Sequence, residues 1–475
     1  MKARYILYFI TAILIALFIL TISFPRKGIN IAGVQLRFPS LEKILTRKTV
    51  EEPEIPDLEE PVFTAQDSIR LSLQDTLNYY RELVENQLGK FYFPYDDVGY
   101  FDGFFEQIQT AKSLQKVIRI LHYGDSQIEL DRISFNLRKY FQEKFGGGGP
   151  GLLPAVQTIP TATVYQRWSG DYTTYSAYGD GNRRKNGNYG FFCKCIGMTG
   201  ENRFFVKASQ NLDVPHKMRT FSKIKLYFFN KNGDFSAVLS DNLKKEKETL
   251  VANSEGLQSF LWELDTPLTT FTLTLKGNAD IYGISVDGKY GVSVDNIPLR
   301  GSAGTLFTQL NDSLTRLMFQ ESNVGLVILQ FGGNAVPAIS SQKSIGFYVN
   351  NLQRQIQFFK RINPQGKILL IGPSDMAKRV EGELRSYPLL GQLVEAMKKM
   401  ANDNGVAFWD IYEVMGGENS MIAWYKHGLA GEDLIHFTPK GANRIGEILV
   451  NSFDNLYQLY LSKQNLSTQN STVQP

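Results

Sequence analysis

Cysteine is scarce: the 475-residue chain carries only Cys193 and Cys195. Alternating residues of a strand point to opposite faces, so a bond between these two would be badly strained. With no second pair of ligands, neither a zinc site nor any other metal or cofactor is expected. The two are read as structural thiols, and they leave the redox compartment open. Charge of one sign is also lacking. The formal net charge is +4, and no concentrated basic run follows the spacing of phosphates, so nucleic acid is not an expected partner. Histidine is limited to His122, His216, His427 and His436, which narrows the search for a general base. No internal repeat stands out. Hydrophobic residues at 43% and charged residues at 21% suit a globular protein with a substantial core. The length exceeds one ordinary domain, so two folded units with an anchor and linkers are expected.

The N-terminus is more informative. Lys2 and Arg4 lead into Tyr5 to Ile22, an uncharged and almost wholly apolar run closed by Phe24-Pro25-Arg26-Lys27. Roughly 20 apolar residues suffice to cross a bilayer as a helix. No small-x-small cleavage site follows, and no Cys is placed for lipid attachment. An uncleaved signal anchor over residues 5–23 is therefore expected. Lys2 and Arg4 favour a cytoplasmic N-terminus, an asymmetry that Arg26 and Lys27 weaken. A single-pass inner (cell) membrane anchor would leave the folded part in the periplasm or cell exterior. Residues 28–64 read as a tether, with the acidic, proline-bearing stretch 51–57. The polar tail 463–475 reads as disordered.

Beyond the tether, a helix is expected from Ser68 to about Gln87. Val117 to Tyr123 is then a short β-rich run ending at Gly124-Asp125-Ser126, with a helical stretch through Phe145. A strand running through a glycine turn into a helix opens a parallel α/β sheet. Ligands of such sheets gather at the carboxyl ends of strands, where Ser126 sits. Three more such units follow. Val324–Phe331 precedes a helix near 344–361, Lys367–Ile371 precedes one near 384–402, and Val406–Ile411 precedes a closing helix over 439–461. From 155 to 291 the pattern differs: turn residues separate short alternating segments such as 223–229, 259–264 and 270–275. That is the signature of an antiparallel β-sandwich inserted into the α/β domain. The expected division is thus 65–154 for a helical segment and the first α/β part, 155–291 for the insertion, and 292–462 for the second α/β part.

A serine hydroxyl is a poor nucleophile until a neighbouring base takes its proton. His122 lies inside the first strand and reads as packed or hydrogen-bonded. His216 falls in the insertion and His427 in an irregular stretch. His436 stands in Asp433-Leu434-Ile435-His436, directly before a helix. A carboxylate three residues ahead can fold back onto the second ring nitrogen, fix the tautomer and stabilise the imidazolium. Thr438 before Pro439 reads equally well as a helix cap. Gly146 to Gly149 is no phosphate loop, because it lacks the Lys-Ser/Thr ending.

Four dispersed blocks resemble those of the SGNH (GDSL-like) hydrolase superfamily. Gly124-Asp125-Ser126 resembles the nucleophile block, Gly301-Ser302-Ala303-Gly304 the glycine block, Gly332-Gly333-Asn334 the asparagine block, and Asp433 with His436 the last. The resemblance implies a three-layer αβα, flavodoxin-like domain with a parallel sheet, here interrupted by a jelly-roll-like insertion. It implies a triad of Ser126, Asp433 and His436. It also implies an oxyanion hole from the N–H groups of Ser126 and Gly304 and the Asn334 amide, with Gly301 the alternative glycine. Ala335 departs from the family's Gly-x-Asn-Asp, which alters local support and not the triad. Asp125 reads as a turn-stabilising residue and Asp375 as structural.

The layout resembles bacterial peptidoglycan O-acetylesterases, where a carbohydrate-binding-like β-sandwich interrupts the hydrolase domain. The resemblance implies an esterase removing O-acetyl groups from an acetylated envelope polysaccharide. The alternatives are an acetyltransferase using the same triad and a catalytically silent glycan-binding protein. Tyr165, Trp168, Tyr172, Tyr175, Tyr178 and Tyr189 cluster in the insertion. They suit either a sugar-binding surface or the packing of the sandwich.

Overall fold

A computed structural model describes residues 3–23, 29–31, 34–36, 55–56, 72–241 and 246–473. The chain forms two units, residues 1–52 and 53–475. In the first, a helix runs from Ala3 to Ser23, and Ile29–Ile31 pairs antiparallel with Val34–Leu36. The stretch expected to be tether thus begins with a short hairpin. Most of the remainder of 28–64 lies outside the described residues. Among the described residues, no helix is long and apolar enough to cross a membrane, so the expected span at 5–23 is not shown.

The second unit is built on a six-stranded sheet. Its order is Gly291–Pro298, Val117–Gly124, Val324–Gln330, Lys367–Ile371, Ala407–Trp409, Phe91–Tyr92. The first five are parallel, and Phe91–Tyr92 adds an antiparallel edge. Numbered along the chain, the parallel strands take the flavodoxin-like order 2-1-3-4-5. Val324–Gln330 is buried at every position, as a strand covered on both faces must be.

Alternate side chains feed two cores. Leu121, Tyr123, Val327, Leu329 and Leu370 pack beneath helices Asp312–Glu321, Gln342–Ile362 and Leu390–Asp403. Ile120, Leu326, Ile328, Leu369 and Trp409 pack on the other face against Asp102–Thr110, Ser134–Phe145 and Pro439–Val473. The result is three layers, with helices on both sides of the sheet.

After the Ser134–Phe145 helix the chain leaves this sheet, and it returns at Gly291. Between lie, among the described residues, seven antiparallel strands that form one continuous hydrogen-bonded sheet where the two separately bonded sheets of a sandwich were expected. The reason lies in two long strands. Phe221–Ser240 holds Gly256–Leu268 and Glu246–Ala252 along one edge, and Thr270–Asp287 holds Lys194–Ala208 and Gly151–Leu153. Their mutual register shifts near Lys276–Ala279 and Ile281–Gly283, and such bulges bend a sheet. The bent sheet carries its own core of Phe204, Phe228, Phe235, Trp262 and Phe271. Because Gly151–Leu153 pairs with Ile284–Val286, the antiparallel part starts at 151 and not at 155.

A buried ionic cluster ties the two sheets together. Arg119 on Val117–Gly124 pairs with Asp287, and with Asp295 at 3.2 Å. The Leu152 N–H donates to Asp295 at 2.7 Å. Three further differences from expectation have local causes. The helix expected from Ser68 runs Leu73–Asn86, started by a capping box of Ser72 and Asp75, and 68–71 lie outside the described residues. The start of the helix expected near 384 is a hairpin, Ala377–Val380 with Glu383–Ser386, turned by Glu381 and Gly382 at positive φ. The tail expected to be disordered continues the closing helix to Val473. There Leu466 packs on the core, and the hydroxyls of Ser467 and Thr468 bond carbonyls one turn back at 2.9 and 3.0 Å.

Candidate active site

The order 2-1-3-4-5 reverses between Val117–Gly124 and Val324–Gln330, and ligands of open α/β sheets bind at that crevice. Ser126 leaves the first of these strands and Asn334 the second. At Gly124 a Cβ would crowd the Ile128 side chain, 2.9 Å away. The strand ends there, and Asp125 caps the following turn by accepting the Gln127 N–H at 2.9 Å.

His436, the expected base, arrives from the loop before the closing helix. Asp433 Oδ1 accepts the backbone N–H groups of Ile435 and His436, each at 3.0 Å. Leu434 takes a left-handed φ of 56° to make that fold-back possible. Asp433 Oδ2 then meets His436 Nδ1 at 2.6 Å, and His436 Nε2 lies 2.8 Å from Ser126 Oγ. An ionised carboxylate only accepts, so the ring proton sits on Nδ1 and Nε2 is left to take the serine proton. Burial opposes ionisation of Asp433, but the bonds from the His436 ring and from the two backbone N–H groups hold its carboxyl below the ordinary range. Thr438 Oγ1 accepts the Gly441 N–H at 3.2 Å, so it caps the closing helix.

Ser126, Asn334 and His436 share one cavity of about 170 Å³ with Phe331, Pro337, Pro373, Met376, Ile411 and Phe437. Asn334 Nδ2 donates to Asp125 Oδ2 at 3.3 Å and to the Ser302 carbonyl at 3.2 Å. The Gly304 N–H donates to Ser302 Oγ at 3.1 Å. Neither Gly301 nor Gly304 lines the cavity. Gly304 also has a packing reason to be glycine: its φ is +76°, and a Cβ would stand 2.5 Å from the Phe331 ring. Burial raises the Asp125 carboxyl to about 6, against the pull of Gln127, His436 and Asn334.

The remaining candidates separate cleanly. His122 Nε2 lies 3.0 Å from Gln330 Oε1 and its Nδ1 2.9 Å from Ser134 Oγ, and burial lowers its pKa to about 4. It is a hydrogen-bonded core residue beneath the cavity. Asp375 is buried and accepts from Ser386 Oγ and from the Met421 N–H at 2.9 Å, which makes it an anchor for the hairpin and the helix behind it. Cys193 and Cys195 are buried and unbridged. The aromatic cluster divides: Tyr189 is core, whereas Tyr165 and Tyr172 are exposed. Two residues with site contacts escaped sequence reasoning. Gln127 reaches the base loop and Ser302 holds both Asn334 and Gly304. Each adjoins or lies within a recognised block, but the partners that tie it to the site, Ile435 and Phe437 for Gln127 and Asn334 for Ser302, lie in other blocks.

Residues 275–444 match the GDSL-like lipase/acylhydrolase family. A comparison with curated proteins gives no significant match. Among solved structures, a peptidoglycan O-acetylesterase is 22% identical with a TM-score of 0.62, over 77% of this chain and 98% of that one. An acetyl xylan esterase is 15% identical with a TM-score of 0.25, over 34% of this chain and 81% of that one. A family two carbohydrate esterase from Cellvibrio japonicus is 9% identical with a TM-score of 0.25, over 63% and 99%. At those lower scores the last two do not bear on the fold. By its blocks, its matched segment and its sheet order, the chain resembles the SGNH (GDSL-like) hydrolases, in a layout like that of the peptidoglycan O-acetylesterase.

Proposed function

We propose that the chain is a serine esterase that removes O-acetyl groups from a cell-envelope polysaccharide, with peptidoglycan the first candidate. The observation that carries this is the pair of contacts at 2.8 and 2.6 Å that link Ser126, His436 and Asp433 in sequence. Ser126 Oγ attacks the acetyl carbonyl carbon while His436 Nε2 takes the hydroxyl proton. The oxyanion is met by the Ser126 N–H and by the Asn334 amide, which exchanges its present acceptors for it, while the expected third donor, the Gly304 N–H, stays on Ser302 Oγ outside the cavity wall. Collapse breaks the bond to the sugar oxygen, which receives the proton from His436. Water, deprotonated in turn by His436, attacks the acetyl-serine and releases acetate.

Two observations support acetyl as the acyl group. The cavity at about 170 Å³ is smaller than the roughly 300–1,000 Å³ of typical ligand pockets. Its apolar wall suits a methyl and leaves little room for a lipid chain. A solved structure with this layout is a peptidoglycan O-acetylesterase, which supports a glycan ester as substrate. Placement in the envelope rests on the apolar run 5–22 alone, and fractionation of cells tests it.

The direct experiment follows acetate released from O-acetylated peptidoglycan and from 4-nitrophenyl acetate. Ser126→Ala should lose at least about a hundredfold in rate on both. Undiminished release by that variant removes the nucleophile. Acetyl appearing on an added acceptor sugar in place of free acetate turns the reading into a transferase.

A further inference from the structure

Nucleophile and base come from distant parts of the chain, and the only bond between their side chains is the one proton transfer disrupts. Something else must hold the base loop in place. Gln127, the residue after the nucleophile, touches that loop on both sides of His436. Its Nε2 donates to the Ile435 carbonyl at 2.6 Å, and its Oε1 accepts the Phe437 N–H at 3.3 Å. Nε2 also faces Ser374 Oγ at 3.3 Å. The side chain is buried at 9% exposure, and it lies in the wall of the cavity.

The partners fix which end of the amide is which. Turned over, its oxygen would face the Ile435 carbonyl and its NH2 the Phe437 N–H, two repulsive contacts. One donor and one acceptor, set on the residues before and after His436, bracket that residue as a paired strand would. Asp433 cannot do this work alone. Its side chain is 50% exposed, and it belongs to the same loop, so it orients the ring without tying the loop to the nucleophile.

We infer that Gln127 is a positioning residue, whose side-chain amide clamps the backbone either side of His436 and so sets the imidazole against Ser126 Oγ. The inference rests on the esterase proposed above. It follows that a residue at 127 must both donate and accept. Alanine supplies neither. An ionised glutamate offers two acceptors, sets one against the Ile435 carbonyl and adds negative charge beside the imidazole, which favours its protonated form.

The test measures kcat, KM and pH–rate profiles on 4-nitrophenyl acetate for the full chain, Q127A, Q127E and S126A, with near-UV circular dichroism as the check on folding. Q127A should lose roughly ten- to a hundredfold in kcat, the scale of a misplaced catalytic group, with KM held within about twofold. Q127E should move the acid limb of kcat/KM to higher pH, whereas any active Q127A keeps the limb of the parent. A Q127A kcat within about twofold of the parent overturns the inference, as does a loss confined to KM. If Q127A does not fold, Q127E decides: an acid limb coincident with the parent's overturns it. S126A separates the two levels, because full activity there defeats the esterase reading itself, whatever position 127 does.

Discussion

His436 Nε2 lies 2.8 Å from Ser126 Oγ, although 310 positions separate the two residues. The parallel sheet makes this possible: Ser126 follows its first strand at the carboxyl edge, and the base loop folds back onto that same edge. Between them the chain builds an entire second sheet without disturbing the pair, because Gly291–Pro298 returns in register beside Val117–Gly124.

Asn334 is expected to act on the transition state more than on the ground state. Its Nδ2 is held toward the site by Asp125 and by the Ser302 carbonyl at 3.2 Å. Asn334→Ala should therefore lower kcat by about 10²–10³ on a small acetyl ester, with KM little changed. An equal loss in binding and none in kcat would remove Asn334 from the oxyanion hole.

Asp125 should leave a mark on stability against pH. Burial raises its folded carboxyl to about 6 from an ordinary value of 3.8. The folded state therefore holds this proton more tightly than the unfolded chain. Its contribution to stability is fully present below about pH 4 and is lost as pH rises through 6. Asp125→Asn lacks the titration, so its stability relative to the parent should climb between pH 4 and 7, whatever constant offset the substitution brings. Urea unfolding at a series of pH values measures the difference, and a flat difference contradicts the burial argument.

Arg119 offers a test of how the two sheets are joined. It stands buried between Asp287 and Asp295. Arg119→Met would leave two carboxylates without their cation, and breaking a buried pair costs roughly 3–5 kcal/mol. Chemical denaturation should show a loss of that order. A loss below about 1 kcal/mol would mean the cluster is solvated or redundant.

The parallel domain was legible because buried strands such as Val324–Gln330 advertise themselves as unbroken apolar runs, and three of them, Val117–Gly124, Val324–Gln330 and Lys367–Ile371, end at or next to a glycine turn. The three side chains brought together at its edge were legible for a related reason: Asp433 and His436 are close in sequence, and only four histidines compete. The bent sheet was not, since strand alternation reports faces and turns but not whether Phe221–Ser240 pairs with one neighbour or two along an edge. The hairpin at 377–386 was missed because its strands are four residues each, too short to separate from a helix by periodicity. Gln127 was missed for a deeper reason: its partners on the base loop are the backbone atoms of Ile435 and Phe437, and backbone partners leave no trace in side-chain identity.

The most direct test is to treat the protein with a fluorophosphonate, which reacts with activated serines, and to locate the adduct by peptide mass spectrometry. The account predicts one stoichiometric adduct on Ser126, lost in His436→Ala and accompanied by loss of acetyl-ester hydrolysis. An adduct on another residue, or full esterase activity with Ser126 unmodified, would contradict it.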